Sequence, residues 1–138
     1  MAASVGNRDT EACLRQLLHK QGYALSPVRA YGETGVDIVA TKDGEIWHIE
    51  VIGYKKSGAA RAKDFYESFF RVVSRLNDGA KHCVIALPAQ FGTGLPARAA
   101  QHREAWERIA RAFPELEIWL VDVENEAYQR TSWIQWLA

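Results

Sequence analysis

The sequence has 138 residues, of which 48% are hydrophobic and 25% are charged, as in an ordinary globular protein. Seventeen basic and seventeen acidic residues give a formal net charge of zero, which argues against a uniformly basic nucleic-acid-binding protein, although charge can still be segregated locally. Because no apolar run is long enough to span a membrane and residues 1–7 lack the features of a signal peptide, we expect a cytoplasmic protein with one domain over residues 1–138.

The first predicted element is a helix that begins at Asp9 or Thr10 and ends at about Gln21, before Gly22. Its buried stripe follows helical spacing and consists of Cys13, Leu14, Leu17 and Leu18. Glu11 lies on the edge of that stripe. We therefore expect its carboxylate to point toward the core more than toward bulk water.

Three strands are predicted next. Residues 23–31 predict a short edge strand, because Pro27 cannot donate a hydrogen bond to a central ladder. A loop over residues 32–35 follows, and residues 36–41 and 45–52 then alternate as the two strands of a hairpin.

The second half alternates helices and strands. It predicts a loop over residues 53–60, a helix over 61–77, a strand over 82–87, a loop over 88–96, a helix over 97–113 and a strand over 117–123. The apolar tail from Trp133 to Leu137 is expected to dock in a conformation that its pattern does not specify. This order of elements predicts an α/β sandwich, with a mixed sheet flanked by helices.

Most aromatic residues are predicted to be core residues. Helical spacing favours core packing over a base-stacking surface for Phe65, Tyr66, Phe69 and Phe70. Core packing is also expected for the tryptophans, with a dimer contact left open for the last two if they are exposed: Trp106, Trp119, Trp133 and Trp136. The two cysteines lack metal-ligand spacing and are expected to be buried, and His48 is expected to be a partly buried, hydrogen-bonded strand residue.

The hairpin turn places two acids opposite each other. If Asp43 and Gly44 are the central turn residues, the residue numbers of directly paired positions sum to 87, so Asp37 faces Glu50. Opposed carboxylates about 5 Å apart repel each other, and a hard cation such as Mg²⁺ would relieve that repulsion. Two alternatives stay open: one acid pairs with a nearby Arg or Lys, or a longer turn shifts the register and separates the acids.

The residues around this hairpin resemble the core of the PD-(D/E)XK nuclease superfamily, in its restriction-endonuclease-like, Mrr-like branch. The resemblance rests on Gly35-Val36-Asp37-Ile38-Val39-Ala40, Lys42-Asp43-Gly44 and Ile49-Glu50-Val51-Ile52-Gly53-Tyr54, supported by the helices over 11–23 and 64–76 and the strand over 84–88. It covers most of the chain up to about Pro88. It implies a restriction-endonuclease-like three-layer sandwich, with a mixed central β-sheet flanked by helices.

The resemblance also implies a metal-dependent endonuclease that hydrolyses phosphodiester bonds of DNA. Asp37 and Glu50 resemble the family's ligands for Mg²⁺ or Mn²⁺, and Glu11 resembles the auxiliary glutamate that some branches supply from the first helix. The implied partner is DNA. A homodimer is left open, because nucleases that cut both strands are often dimers.

One position departs from the family pattern. The family's lysine should stand two residues after the second acid, where this sequence has Ile52, and isoleucine cannot neutralise negative charge on a phosphate. Lys56 is taken as the candidate catalytic cation, provided that Gly53 turns the chain back toward the acids. Lys63 and Arg71 are its rivals. Otherwise catalysis is lost, and the chain is a degenerate module that binds nucleic acid or a protein partner.

A basic segment lies next to this site. Its candidate nucleic-acid-binding residues are Lys55, Lys56, Arg61 and Lys63, to which Arg71 on the following helix is added. A solvated loop and helix start is the alternative explanation, and the sequence leaves both open.

Overall fold

The computed structural model describes residues 4–29 and 36–137, so the predicted loop over residues 32–35 and the end of the first predicted strand at Tyr31 lie outside the described residues. One sheet runs through this part of the chain, with its strands in sequential order. The strands are β1 (Ala24–Leu25), β2 (Ile38–Lys42), β3 (Glu45–Val51), β4 (Cys83–Pro88), β5 (Leu116–Asp122) and β6 (Ala127–Ser132). Strands β3, β4 and β5 are parallel to each other and the remaining pairs are antiparallel, so the sheet is mixed as predicted.

Helices cover both faces of the sheet. They are α1 (Asn7–Lys20), α2 (Gly58–Val73), α3 (Leu95–Gln101) and α4 (Arg103–Ala112), with 3₁₀ helices over Ser74–Asp78, Ala89–Thr93 and Ile134–Trp136. Leu14 and Leu18 of α1 pack in one core layer, and Phe65 of α2 and Trp106 of α4 pack in the other. The three-layer α/β sandwich is therefore confirmed. Within the described ranges, no helix combines the length and apolar character needed to cross a membrane.

The hairpin forms in the predicted register. Asp43 and Gly44 both have positive φ, 54° and 80°, as a two-residue type I′ turn requires. The ladder runs from Lys42 opposite Glu45 to Ile38 opposite Ile49, so the two residue numbers of every pair sum to 87, as predicted. The alternative of a longer turn with a shifted register is excluded.

Several predicted boundaries are wrong. The helix predicted over residues 97–113 is two helices that meet at His102, whose φ of −117° leaves the helical region. Helix α2 begins at Gly58 inside the predicted loop, because the Ser57 side chain accepts a hydrogen bond from the backbone N–H of Ala60 and caps the helix. Strand β6 was not predicted. Its sequence is largely polar, and it lies at the edge of the sheet.

The aromatic residues of α2 divide into two groups. Phe65 is 1% exposed and Phe69 packs against the same core, as predicted. The prediction is wrong for Tyr66 and Phe70, whose side chains are 46% and 71% exposed. The tryptophan predictions hold: the side chains that are buried or packed against the core are Trp106, Trp119, Trp133 and Trp136.

An N-terminal segment closes over the end of β3. Val5 forms an antiparallel bridge with Tyr54, with N–H to O distances of 3.0 and 2.7 Å. Gly53 permits this close approach, because a Cβ atom there would lie 2.3 Å from the backbone oxygen of Val5. The bridge fixes the start of α1, and therefore Glu11, relative to the strand that carries Glu50.

Candidate active site

Asp37 and Glu50 lie side by side at the start of β2 and the end of β3. Asp37 comes directly before β2, and its Oδ2 accepts a hydrogen bond of 2.8 Å from the backbone N–H of Val51. This bond holds the Asp37 carboxylate on β3 next to Glu50, whose side chain is 4% exposed. The two acids predicted to be neighbours are therefore neighbours, one of them almost fully buried.

The surroundings of Glu50 favour its protonated form. Burial, followed by the negative charge of Asp37, raises the pKa of Glu50 to about 8, although Arg71 and Arg29 act in the opposite direction. Together with a hydrogen bond between Glu50 and Asp37, this raised pKa favours a protonated Glu50 carboxyl at neutral pH in the metal-free protein.

Arg71 approaches the acidic pair from α2. Its Nη1 lies 3.8 Å from Glu50 Oε1, and its Nη2 lies 3.4 Å from Oε2 of Glu67, one turn earlier on the same helix. The Arg71 side chain is 59% exposed, so its guanidinium faces both the buried acid and solvent. Of the predicted nucleic-acid-binding residues, Arg71 is the one that the structure brings to the acids.

Arg29, which the sequence did not indicate, contacts the other acid. Its Nη2 donates to Asp37 Oδ1 at 2.5 Å. This hydrogen bond is the main cause that raises the pKa of Arg29. The sequence alternative that one acid pairs with a nearby Arg or Lys is therefore realised at Asp37. The one sequence feature that could have indicated this contact is the position of Arg29 eight residues before Asp37.

Arg15 connects the first helix to the same acid. Its Nε donates to Glu11 Oε2 at 2.7 Å, its Nη2 to the Asp37 backbone oxygen at 2.9 Å, and its Nη1 to the Ser26 backbone oxygen at 2.5 Å. The Glu11 side chain is 19% exposed, in agreement with its predicted inward placement. Glu11 is linked to Asp37 through Arg15, which sequence reasoning missed although Glu11 and Arg15 have the four-residue spacing of a helical ion pair.

Ile52 is a core residue. Its side chain is 3% exposed and belongs to the same apolar cluster as Phe65 and Val72 of α2. The position where the family pattern has a lysine is therefore filled by packing between the sheet and α2. The cations that meet the acids come from α2 and from the segment before β2.

The basic segment before α2 is largely engaged with its own neighbours. Lys55 Nζ lies 3.0 Å from Asp64 Oδ2, and Lys63 pairs with Glu67 on the surface of α2. Nη1 of Arg61 donates to the backbone oxygens of residues 55 and 56 at 2.8 Å each. Lys56 is exposed in this loop, and in the described part of the chain the cationic side chains within 4 Å of the Asp37 and Glu50 carboxyl groups are arginines and not Lys56.

His48 lies on the same strand face as Glu50. It is partly buried as predicted, but its Nδ1 is buried without a hydrogen-bond partner among the described residues, so the expected hydrogen bond at that atom is missing. Burial lowers the pKa of His48. The residue lines a cleft of about 600 Å³ that extends toward the hairpin turn.

The acidic pair fits a hard divalent cation by its chemistry. Over residues 4–29 and 36–137, no group of three or more His, Cys, Asp or Glu side chains converges in a metal-binding arrangement. Two neighbouring carboxyl groups supply only oxygen, which suits Mg²⁺ or Mn²⁺, ions that complete their coordination with water. The Arg29 guanidinium on Asp37 shows that a positive charge is accommodated beside this carboxylate.

Comparison with known proteins gives one family. The family model Mrr_cat, described as a restriction endonuclease, matches residues 2–122. The match contains all the residues described above around the acidic pair, and it extends through β5, beyond Pro88. No curated protein and no solved structure matches the chain significantly.

Proposed function

Because the chain belongs to the restriction endonuclease family Mrr_cat, we propose that it is a metal-dependent endonuclease that hydrolyses phosphodiester bonds of DNA. The family supports a nuclease-like, DNA-cleaving fold, and restriction-endonuclease-like domains generally use divalent metals. The observation that carries the proposal is the buried carboxyl pair of Asp37 and Glu50 with an arginine beside each acid.

Asp37 and Glu50 are the proposed ligands for Mg²⁺ or Mn²⁺, and Glu11 assists from α1 through Arg15. When bound there, the metal ion supplies Lewis-acid stabilisation of the charge that develops on the scissile phosphate. Glu50 releases its proton when the ion binds, because only the carboxylate is a good ligand for a hard cation. Arg29 has to share Asp37 with the ion or turn away from it.

Arg71 is the proposed replacement for the family's lysine. Its guanidinium is held beside Glu50 and exposed to solvent, so it can contact a phosphate oxygen at the same time as the acids hold the metal ion. Lys56, the cation favoured by the sequence, stays an alternative. The residues proposed to contact the flanking backbone phosphates are Lys55, Lys56, Arg61 and Lys63.

A second candidate function is a catalytically degenerate module that binds nucleic acid or a protein partner. The burial of Ile52 in the core favours it, since no ammonium group stands on the strand beside Glu50. A cytoplasmic location, a single domain over residues 1–138 and a homodimer also stay predictions.

The test is cleavage of plasmid and linear DNA with Mg²⁺ or Mn²⁺ by the wild type, Asp37→Ala and Glu50→Ala. Glu104→Ala is the matched control, because Glu104 is an exposed acid on α4 that pairs with Arg108. The proposal predicts metal-dependent cutting by the wild type and the control, and none by the other two. Cleavage that persists in both active-site variants would defeat the enzyme proposal. If the wild type binds DNA without cutting and a folded Ile52→Lys variant gains cutting, the degenerate module is the correct function.

A further inference from the structure

Two aromatic side chains of α2 face solvent. Tyr66 is 46% exposed and Phe70, one helical turn later, is 71% exposed. Residues four apart lie on the same side of a helix, so the two rings form one exposed aromatic strip. Since water solvates such surface poorly, a strip next to a candidate active site marks a contact surface.

A groove between α2 and α4 lies beside this strip. It encloses about 180 Å³ and is lined mainly by Phe65, Tyr66, Phe69, Trp106, Ile109 and Trp133. Flat rings form most of its walls, and the rings of Trp106 and Trp133 are stacked with their centroids 3.9 Å apart. A groove with these walls fits a planar ring better than a branched aliphatic chain.

Positive charge stands at the edge of this groove. The Arg98 guanidinium carbon lies 5.4 Å from the centroid of the Tyr66 ring, and Arg98 Nη1 donates to the Tyr66 hydroxyl at 2.9 Å. His102 Nε2 lies 3.3 Å from the same hydroxyl. A cation next to exposed aromatic rings is the combination with which proteins bind single-stranded nucleic acid: the rings stack on bases and the cation contacts the backbone.

The strip and the candidate active site share one helix. Arg71 follows Phe70 directly in α2. Its side chain points toward Glu50, whereas the Tyr66 and Phe70 side chains lie on a neighbouring side of the same helix. A helix is about 10 Å across. A DNA strand held at the acids therefore reaches the aromatic strip within a few nucleotides.

We propose that the exposed strip of Tyr66 and Phe70, together with the groove between α2 and α4 that Tyr66 lines, binds an unpaired nucleobase of the DNA strand held at the acids. This inference rests on the proposed function and specifies its substrate. The bases of a continuous duplex are stacked inside the helix and do not reach such a platform. The substrate is then single-stranded or branched DNA in preference to plain duplex.

The test compares the affinities of single-stranded, forked and blunt duplex DNA of the same sequence, by fluorescence anisotropy with Ca²⁺ in place of Mg²⁺. Phe70→Ala should weaken binding of single-stranded and forked DNA about tenfold, the loss expected for one base stacked on an aromatic ring, and leave duplex affinity unchanged. Phe70→Trp should restore the affinity. Ile46→Ala, which removes a 47% exposed apolar side chain near the hairpin turn, is the matched control and should have no effect.

Equal affinities of Phe70→Ala and the wild type for all three DNAs would overturn the inference, as would an equal loss for all three. A change from dimer to monomer in Phe70→Ala, seen by sedimentation, would also overturn it and identify the strip as a contact between two copies of the chain. Each of these three results overturns the inference alone, and the proposed function is retained if the wild type binds duplex DNA. If the folded wild type binds none of the three DNAs, the proposed function fails together with the inference.

Discussion

Arg71 Nη1 lies 3.8 Å from Glu50 Oε1, so the buried acid of the candidate metal site meets its cation from a helix and not from its own strand. The neighbouring strand position that could carry a cation is Ile52, which is part of the core. A positive charge therefore reaches Glu50 from α2. The Arg71 side chain is long enough to reach Glu50 and remain 59% exposed.

We predict that Arg71→Ala lowers the cleavage rate about 10²- to 10³-fold, because it removes a charged donor aimed at the developing charge on phosphate. Arg71→Lys should retain part of the rate. Arg108→Ala is the control, since Arg108 makes a similar ion pair with the glutamate four residues earlier, on α4. Cleavage kinetics on one DNA substrate provide the measurement. Full activity of Arg71→Ala together with an inactive Lys56→Ala would assign the role to Lys56.

We predict that the metal-free protein loses stability as the pH rises from about 4.5 to about 8. The pKa of Glu50 is raised to about 8 in the folded protein from an ordinary value of 4.5, so in this range the folded state keeps a proton that the unfolded state has released. The free energy of unfolding should fall by at most about 1.4 kcal/mol per pH unit from this group. Urea unfolding across this range, with EDTA present, measures the slope. A Glu50→Gln variant with the same slope as the wild type would contradict the assignment.

We predict that Arg15→Ala lowers the free energy of unfolding by about 2–3 kcal/mol, because charged hydrogen bonds to partly buried oxygens are lost. Arg15 donates to the side chain of Glu11 and to the backbone oxygens of Ser26 and Asp37, so the loss separates α1 from the acidic pair. Arg108→Ala removes only an exposed ion pair and should change stability by less than about 1 kcal/mol. Chemical denaturation compares the two variants. Similar small losses in both would mean that Arg15 does not hold the site together.

We predict that Gly53→Ala destabilises the protein by about 1–3 kcal/mol and loosens the N-terminal segment. The added Cβ atom would lie 2.3 Å from the Val5 backbone oxygen, so the bridge between Val5 and Tyr54 has to move. Gly58→Ala is the control, because its Cβ atom meets only the Arg61 side chain at 3.6 Å, near the start of α2. Thermal unfolding and amide exchange of Tyr54 report the effect. Unchanged exchange at Tyr54 in Gly53→Ala would show that the bridge does not depend on the glycine.

The part of the site that could be predicted is the part that local chain geometry determines. The Asp43-Gly44 turn sets the register of the hairpin, and strand alternation then places Asp37 beside Glu50 without any long-range information. The inward position of Glu11 followed from helical spacing in the same way. These predictions needed only contacts within one element or between two consecutive strands.

The part that could not be predicted depends on how separate segments dock, which no local pattern encodes. Arg15 reaches Asp37 because α1 docks beside β2, and Arg29, only eight residues before Asp37, reaches it from the segment after β1. Tyr66 and Phe70 have helical spacing, but which flank of α2 faces the sheet depends on the whole fold. Strand β6 was missed because its alternation is weak, with five of its six residues on or near the surface.

The central claim is that Asp37 and Glu50 bind a divalent cation, and calorimetric titration of Mg²⁺ or Mn²⁺ into the metal-free protein tests it most directly. We predict that the wild type binds one ion and releases a proton near neutral pH, with an affinity that rises up to about pH 8 as Glu50 ionises. Glu104→Ala should bind equally well, and Asp37→Ala should not bind. No binding heat in any buffer from folded wild-type protein, or equal binding by Asp37→Ala, would contradict the claim.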